Sequence, residues 1–262
     1  MSKELMNAPS PEALAALSNA FPTDPGFTRI LLPRLKFVSQ DKTEGKGKNM
    51  KVIMEAGTFL EERETDELDD EGKKKWSETE LGLEIEGIII YQRKQLRYYD
   101  EATEEYTSSP IFDSEDEIVP LFTNKKEIAR GTPAELKAKY QYTDKDDKVK
   151  SRLEENRILY ILKNGELFQL NLRGSSMYSF LSYARKTLVP SVLTAMASQP
   201  QEKGTIAWNQ MTFTPVRPLD ETEVEVVLKH IGDIRDSVAA EKAYFAAQSG
   251  KSAETAAEGD NF

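Results

Sequence analysis

The stretch Asn156–Gly174, NRILYILKNGELFQLNLRG, holds two β-rich runs joined by Asn164-Gly165. Asn-Gly tolerates the positive φ angles of a tight hairpin turn, so the dipeptide predicts two antiparallel strands. On the C-terminal side, SSMYSFLSYARKTL (175–188) reads as a helix capped by a serine, with Tyr178, Leu181 and Leu188 for one face. GTIAWNQMTFTPV (204–216) alternates like a strand. Asp220 then caps a long helix, with Glu223 at its third position and Val224, Val227, Leu228, Ile231, Ile234 and Val238 at a 3.6-residue period.

On the N-terminal side, GTPAELKAKY (131–140) carries a helix start: Thr132 caps, Pro133 opens and Glu135 completes a capping box. DKDD (144–147) lacks the glycine and distal glutamate of a calcium loop and reads as a turn. LGLEIEGIIIYQRKQLRYY (81–99) has strand spacing at Leu81, Leu83 and Ile85, and Gly87 marks a bulge. LEERETDELDDEGKKKW (60–76) packs eight acids ahead of Lys73, Lys74 and Lys75, and reads as a solvated insertion or exposed helix. KVIMEA (51–56) is a short strand, and residues 39–49 a polar loop. TRILLPRLKFV (28–38) is a strand whose Pro33 belongs at an edge or bulge. Residues 10–20 read as a short helix and 21–27 as a turn.

The fold class is therefore mainly β with inserted helices (α+β), built as an open Greek-key barrel or a sandwich. The expected division is an N-terminal helix and turn (1–27), a β domain (28–219) with the acidic insertion near 60–76, a C-terminal helix (220–247) and a disordered acidic tail (248–262).

Composition narrows the function. The 262 residues carry 35 Lys+Arg against 45 Asp+Glu, a net charge of −10, which works against general affinity for nucleic acid. There is no Cys, hence no disulfide, zinc–thiolate site or thiol nucleophile. That usage, with no apolar run of membrane length and no signal-peptide layout, gives the expectation of a cytoplasmic protein without a membrane partner. The one histidine, His230, lies in the final helix, and no Walker loop or dinucleotide fingerprint occurs. The expectation is a protein that is not an enzyme and uses no metal or cofactor.

Binding features remain. QRKQLRYY (92–99) gathers three cations and two tyrosines directly after an apolar run. On a strand, Arg93, Gln95, Arg97 and Tyr99 share one face, and Lys94, Leu96 and Tyr98 the other. Cations for phosphates and an aromatic plane for a base are what single-stranded nucleic acid requires. The competing explanation is an edge strand guarded by charge. Other basic–aromatic clusters supply Arg34 and Lys36; Arg173, Tyr178, Arg185 and Lys186; and Trp208. Trp208 and Phe213 lie an odd number of residues apart, so an unbulged strand turns them to opposite faces. The tail AAQSGKSAETAAEGDNF (246–262) is small, polar and acidic and ends on a lone aromatic.

That tail, closing on Asp260 and Phe262, resembles the C-terminal tip of bacterial and bacteriophage single-stranded DNA-binding proteins, though EGDNF is less densely acidic and Lys251 interrupts the tail. With the β core and the run LNLRGSSMYSFLSYARKTL, the layout resembles the bacteriophage type, over roughly 28–216 and the last dozen residues. The resemblance implies an OB-fold, sequence-tolerant binding of single-stranded DNA in phage replication or recombination, and docking of replication or recombination proteins by the acidic tail. A homo-oligomer is compatible with it. The competing reading is an acidic interaction protein, a DNA mimic or inhibitor of a DNA-binding enzyme, whose carboxylates at 61–71 and 113–117 imitate phosphates. A structural or assembly protein and a carboxylate-dependent nuclease or hydrolase are further alternatives.

Overall fold

Asn164 and Gly165 both adopt left-handed φ angles, 52° and 79°, and the flanking strands pair antiparallel from Lys163↔Glu166 out to Arg157↔Leu172. The predicted hairpin is thus present. The computed structural model describes residues 32–44, 51–69, 72, 74–124, 126–236 and 238–239. The expected helix at 10–20, the turn at 21–27 and the tail with Asp260 and Phe262 lie outside the described residues.

In chain order the strands are β1 (Arg34–Phe37), β2 (Lys42–Glu44), β3 (Lys51–Met54), β4 (Phe59–Leu68), β5 (Lys74–Gly82), β6 (Glu84–Asp100), β7 (Glu105–Ser108), β8 (Val119–Thr123), β9 (Lys126–Gly131), β10 (Gln141–Thr143), β11 (Val149–Ser151), β12 (Glu154–Lys163), β13 (Glu166–Leu172), β14 (Val192–Lys203) and β15 (Ile206–Pro218). The helices are α1 (Pro133–Lys139), α2 (Gly174–Ala184) and α3 (221–236). The protein is mainly β, and its sheet is mixed and open, with no closed barrel among the described residues. The chain divides into two compact units, the first holding residues 32–92 and 156–228 and the second 93–155 and the stretch from Lys229.

In the first unit the strands run β5-β4-β1-β13-β12-β6. β1 is parallel to β13 and antiparallel to β4. β14 pairs with β6 from Thr194↔Gly87 to Ala197↔Glu84 and forms a long hairpin with β15. Gly87 makes no bulge in that register. A Cβ there would come within 2.5 Å of Ile161 Cγ2 and 3.3 Å of the Leu162 carbonyl oxygen. The glycine is needed for close approach of two backbones. α2 lays Met177, Phe180 and Tyr183 into a core with Phe168, Leu170, Leu172, Met196, Met211 and Phe213. The Phe180 and Phe213 rings meet edge to face at 5.4 Å. Each such buried apolar side chain stabilises the unit by about 1.5–3 kcal/mol.

Two expectations are corrected by the strand pairing. The 60–76 run is neither insertion nor helix: β4 and β5 form a hairpin that continues the sheet, with Leu60↔Glu80 through Glu64↔Trp76 in register. Part of the 39–49 loop, Lys42–Glu44, is β2, paired with β3.

In the second unit the latter part of β6 opens an antiparallel meander, β6-β7-β8-β9. Leu96, Phe112, Val119, Leu121, Ala129, Leu136 and Leu153 form its core. α1 starts as its sequence predicts: Thr132 Oγ1 accepts from the Glu135 N–H, and the Glu135 carboxylate accepts from the Thr132 N–H at 2.8 Å. Asp144 closes the β10–β11 turn by accepting from the Asp146 and Lys148 N–H groups. At the start of α3, Asp220 and Glu223 make the same reciprocal capping pair at 2.8 and 3.0 Å.

Candidate nucleic-acid interface

The basic strand 92–99 finds most of its counterions close by. Arg93 is 1% exposed, and its guanidinium donates to the Asp113 carboxylate at 2.8 Å and to the Ile111 carbonyl at 3.0 Å. Strand alternation puts Arg93 on the face of Arg97, but the segment 109–113 runs along β6 and covers it. Arg93 is therefore corrected from a phosphate contact to a buried ion pair. Lys94 is largely buried and paired with Glu115 at 2.7 Å. Tyr98 packs on the core beside Leu96, and its hydroxyl accepts from Arg152 at 3.3 Å, so it is no free stacking platform. The outward face carries Arg97 and Tyr99. Arg97 lies 5.0 Å over the Tyr106 ring, and Tyr99 packs on Tyr106 with ring centroids 4.6 Å apart.

The cations answer to the composition of the neighbouring segment. Residues 98–124 contain no Lys or Arg and eight acids, from Asp100 to Glu117. The strand supplies the positive charge that this segment lacks.

Arg34 and Lys36 are also engaged. Arg34 stacks over Trp76 at 4.3 Å, and Lys36 reaches Glu62 at 2.7 Å and Glu78 at 3.3 Å. They belong to a ladder that neutralises the acidic hairpin. Glu61 takes Arg63 and Lys163, Glu64 takes Lys74, and Glu67 takes Lys75. Arg63 also holds Glu166 through its two terminal guanidinium nitrogens. Partial burial pushes Glu78 up, but Lys42 and Lys36 override it and hold its carboxyl below the usual range. Burial likewise opposes the Lys36 charge, yet Glu62 and Glu78 keep its ammonium above its usual value.

The remaining candidates gather on α2 and β15, in the first unit. Ser175, Tyr178, Ser182 and Arg185 recur at i, i+3, i+7 and i+10, one stripe of the helix. The opposite side is buried through Ser176, Met177, Phe180 and Tyr183. Two serines fasten the first turn to β15. Ser175 Oγ accepts from the Trp208 indole N–H at 3.2 Å, and Ser176 Oγ accepts from the Met211 N–H at 2.9 Å. Tyr183 is tied inward through Thr194 at 2.8 Å, and burial pushes its phenol up.

Tyr178 is thereby held outward, 68% exposed. Arg173 stands at the start of α2, and Arg185 and Lys186 at its end, all three exposed. From Arg173 to Arg185 the rise is about 18 Å. No described acid pairs with any of the three cations. Trp208 is half-buried beside Ser175, and the register places it on the face opposite Phe213, as its spacing predicts.

A signal for this surface lay in the carboxylates. Between 167 and 219 the chain has one acid, Glu202, against Arg173, Arg185, Lys186, Lys203 and Arg217. Tyr106, by contrast, joins Arg97 and Tyr99 through cross-strand register, which local sequence does not reveal. Comparison with protein-family models, with curated proteins and with solved structures finds no match for this chain.

Proposed function

We propose that this chain binds single-stranded nucleic acid without sequence preference, through the outer face of α2 and the adjoining part of β15. One observation carries the reading: the stretch 167–219, with Glu202 as its one acid, holds Arg173, Arg185 and Lys186 exposed along α2, together with an exposed Tyr178 and a half-buried Trp208. Cations hold a phosphodiester backbone, and aromatic faces stack unpaired bases for about 1–3 kcal/mol each. Single-stranded DNA in phage-type replication or recombination is the form that the resemblance implies, without catalysis. Docking of replication proteins by Asp260 and Phe262 belongs to the same proposal. So does an OB-like core, which the mixed open sheet supports only at the level of a mainly β architecture; the interface stands without it.

The alternative, a DNA mimic, needs unpaired carboxylates in phosphate-like array. On β4, Glu61, Glu62, Glu64 and Glu67 each have a cation, which weighs against that hairpin as the mimic.

The test is fluorescence polarisation with labelled oligo-dT and a matched duplex. The expected result is preference for oligo-dT, weakening as salt rises and tightening when residues 248–262 are deleted. No binding of oligo-dT at low salt, with or without those residues, rejects the reading.

A further inference from the structure

Tyr99 and Tyr106 stand directly opposite each other in the β6–β7 hairpin, 42% and 56% exposed. Their rings pack together on the outward face of the meander at 4.6 Å, tilted by 40°. Two adjoining exposed tyrosines are an unusual use of surface, because tyrosine is concentrated where a partner buries it. Arg97 already rests over one flank of Tyr106, so this ring accepts a guanidinium within its own hairpin.

The charge around the pair selects the occupant. The connecting turn carries Glu101 and Glu104, while Asp100 and Glu105 pair one register step from the tyrosines and so face the other side of the hairpin. Asp100 accepts from the Ala102 N–H, and Glu105 from Asn124. Glu101 and Glu104 are exposed and take no described cation. These two carboxylates oppose a phosphate backbone, and Arg97 is the one described cation beside the pair. A cationic side chain gains twice, from the face of a tyrosine within about 6 Å and from the carboxylates beside it.

We propose that the Tyr99–Tyr106 pair and the 100–105 turn form a docking surface for an arginine- or lysine-bearing segment of a partner protein. This inference does not depend on nucleic-acid binding by α2. Two tyrosines supply the buried contact, and the two exposed carboxylates of the turn, Glu101 and Glu104, supply orientation and on-rate.

The test uses the full chain and a fluorescein-labelled nona-arginine peptide, with a Gly-Ser peptide of equal length as control. The expected result is salt-sensitive binding of nona-arginine alone. It weakens about tenfold in Tyr99→Ala/Tyr106→Ala and in Glu101→Gln/Glu104→Gln, and is unchanged in Glu64→Gln/Glu67→Gln on the acidic hairpin. The turn variant alters only exposed side chains, so it stands if the tyrosine variant fails to fold. Equal binding by the wild type and both surface variants assigns the attraction to bulk negative charge and overturns the proposal. Loss of oligo-dT binding instead of peptide binding in the tyrosine variant makes the surface a nucleic-acid platform, and also overturns it.

Discussion

Residues 98–124 and 167–219 are each depleted in one sign of charge. The first has eight acids and no Lys or Arg; the second has five cations and one acid. They differ in where the counterions sit. Two acids of the first stretch are met from within its own unit, Asp113 by Arg93 and Glu115 by Lys94, while Glu101 and Glu104 take no described cation. In the basic stretch Arg217 is bound to Glu223, but Arg173, Arg185 and Lys186 have no described acid. Charge that the fold neutralises helps hold the fold together; the cations that it leaves over on α2 are those that the proposed interface uses. A net charge of −10 hides both.

The largest expected effect lies on the neutralised side. Asp113→Ala takes the carboxylate at 2.8 Å away from the buried Arg93 guanidinium. Breaking a buried pair by removing one partner costs about 3–5 kcal/mol. Urea unfolding, with hydrogen exchange at Leu96 and Phe112 as the local readout, measures it. The double variant Arg93→Met/Asp113→Leu removes both charges and is expected to recover most of the loss. A loss below about 1 kcal/mol for Asp113→Ala, typical of an exposed pair, contradicts a structural role for Arg93.

On the uncompensated side, Tyr178→Ala is expected to weaken oligo-dT binding by about 1–3 kcal/mol with no change in its salt dependence. Arg185→Gln/Lys186→Gln is expected to reduce the slope of log K against log salt by about 1.4, two phosphates at about 0.7 each. Both residues are exposed, and thermal melting should not move. An unchanged slope removes α2 from the interface.

The sequence carried the elements whose cause is local. Asn164-Gly165 needs only its own φ angles, and Thr132–Glu135 and Asp220–Glu223 close within one turn of helix. The 60–76 hairpin was hidden because its cross-strand partners are ionic. Glu62, Glu64, Glu78 and Trp76 alternate correctly for a strand, but few of them are apolar, so the period-2 signal drops out. Arg93 was misplaced for a different reason: its burial depends on Asp113, twenty residues on, and on a segment that folds back along β6. At the candidate site, composition pointed to Arg173, Tyr178, Arg185, Lys186 and Trp208, and the structure places them around one helix. Arg34, Lys36, Arg93, Lys94 and Tyr98 share that composition and differ only in having partners that local sequence does not show.

Acid should separate the paired charges of the β4–β5 ladder from the unpaired cations of α2. Glu78 and Glu166 have carboxyl groups held below their ordinary 4.5, Glu78 against partial burial by Lys42 and Lys36, Glu166 chiefly by Arg63. A depressed folded-state value contributes stability that is complete above pH 4.5 and is lost as pH falls through the folded value. The β4–β5 ladder is therefore expected to loosen below about pH 4.5, by at most about 1 kcal/mol per exposed pair. Melting temperature followed from pH 7 to 3, at low and high salt, reads this. A curve flat through that range dissolves the ladder as a source of stability. Oligo-dT binding at low salt, carried by Arg and Lys, has no reason to weaken over the same range.

The smallest expected effect is the most direct test of the strand 92–99. Arg97 is the one cation there that faces outward with no acid among the described residues, so it is the last candidate on that strand for a phosphate contact. Its guanidinium lies over Tyr106, and Arg97→Gln loses a cation–π contact worth about 0.5–1 kcal/mol at an exposed site. If the cations of this strand serve the acidic segment beside them, oligo-dT affinity and its salt slope stay at wild-type values in this variant. A slope reduced by about 0.7 would mean that Arg97 releases a counterion on binding. In that event the second unit shares the interface, and the division between charge that folds the chain and charge that binds for it fails at this residue.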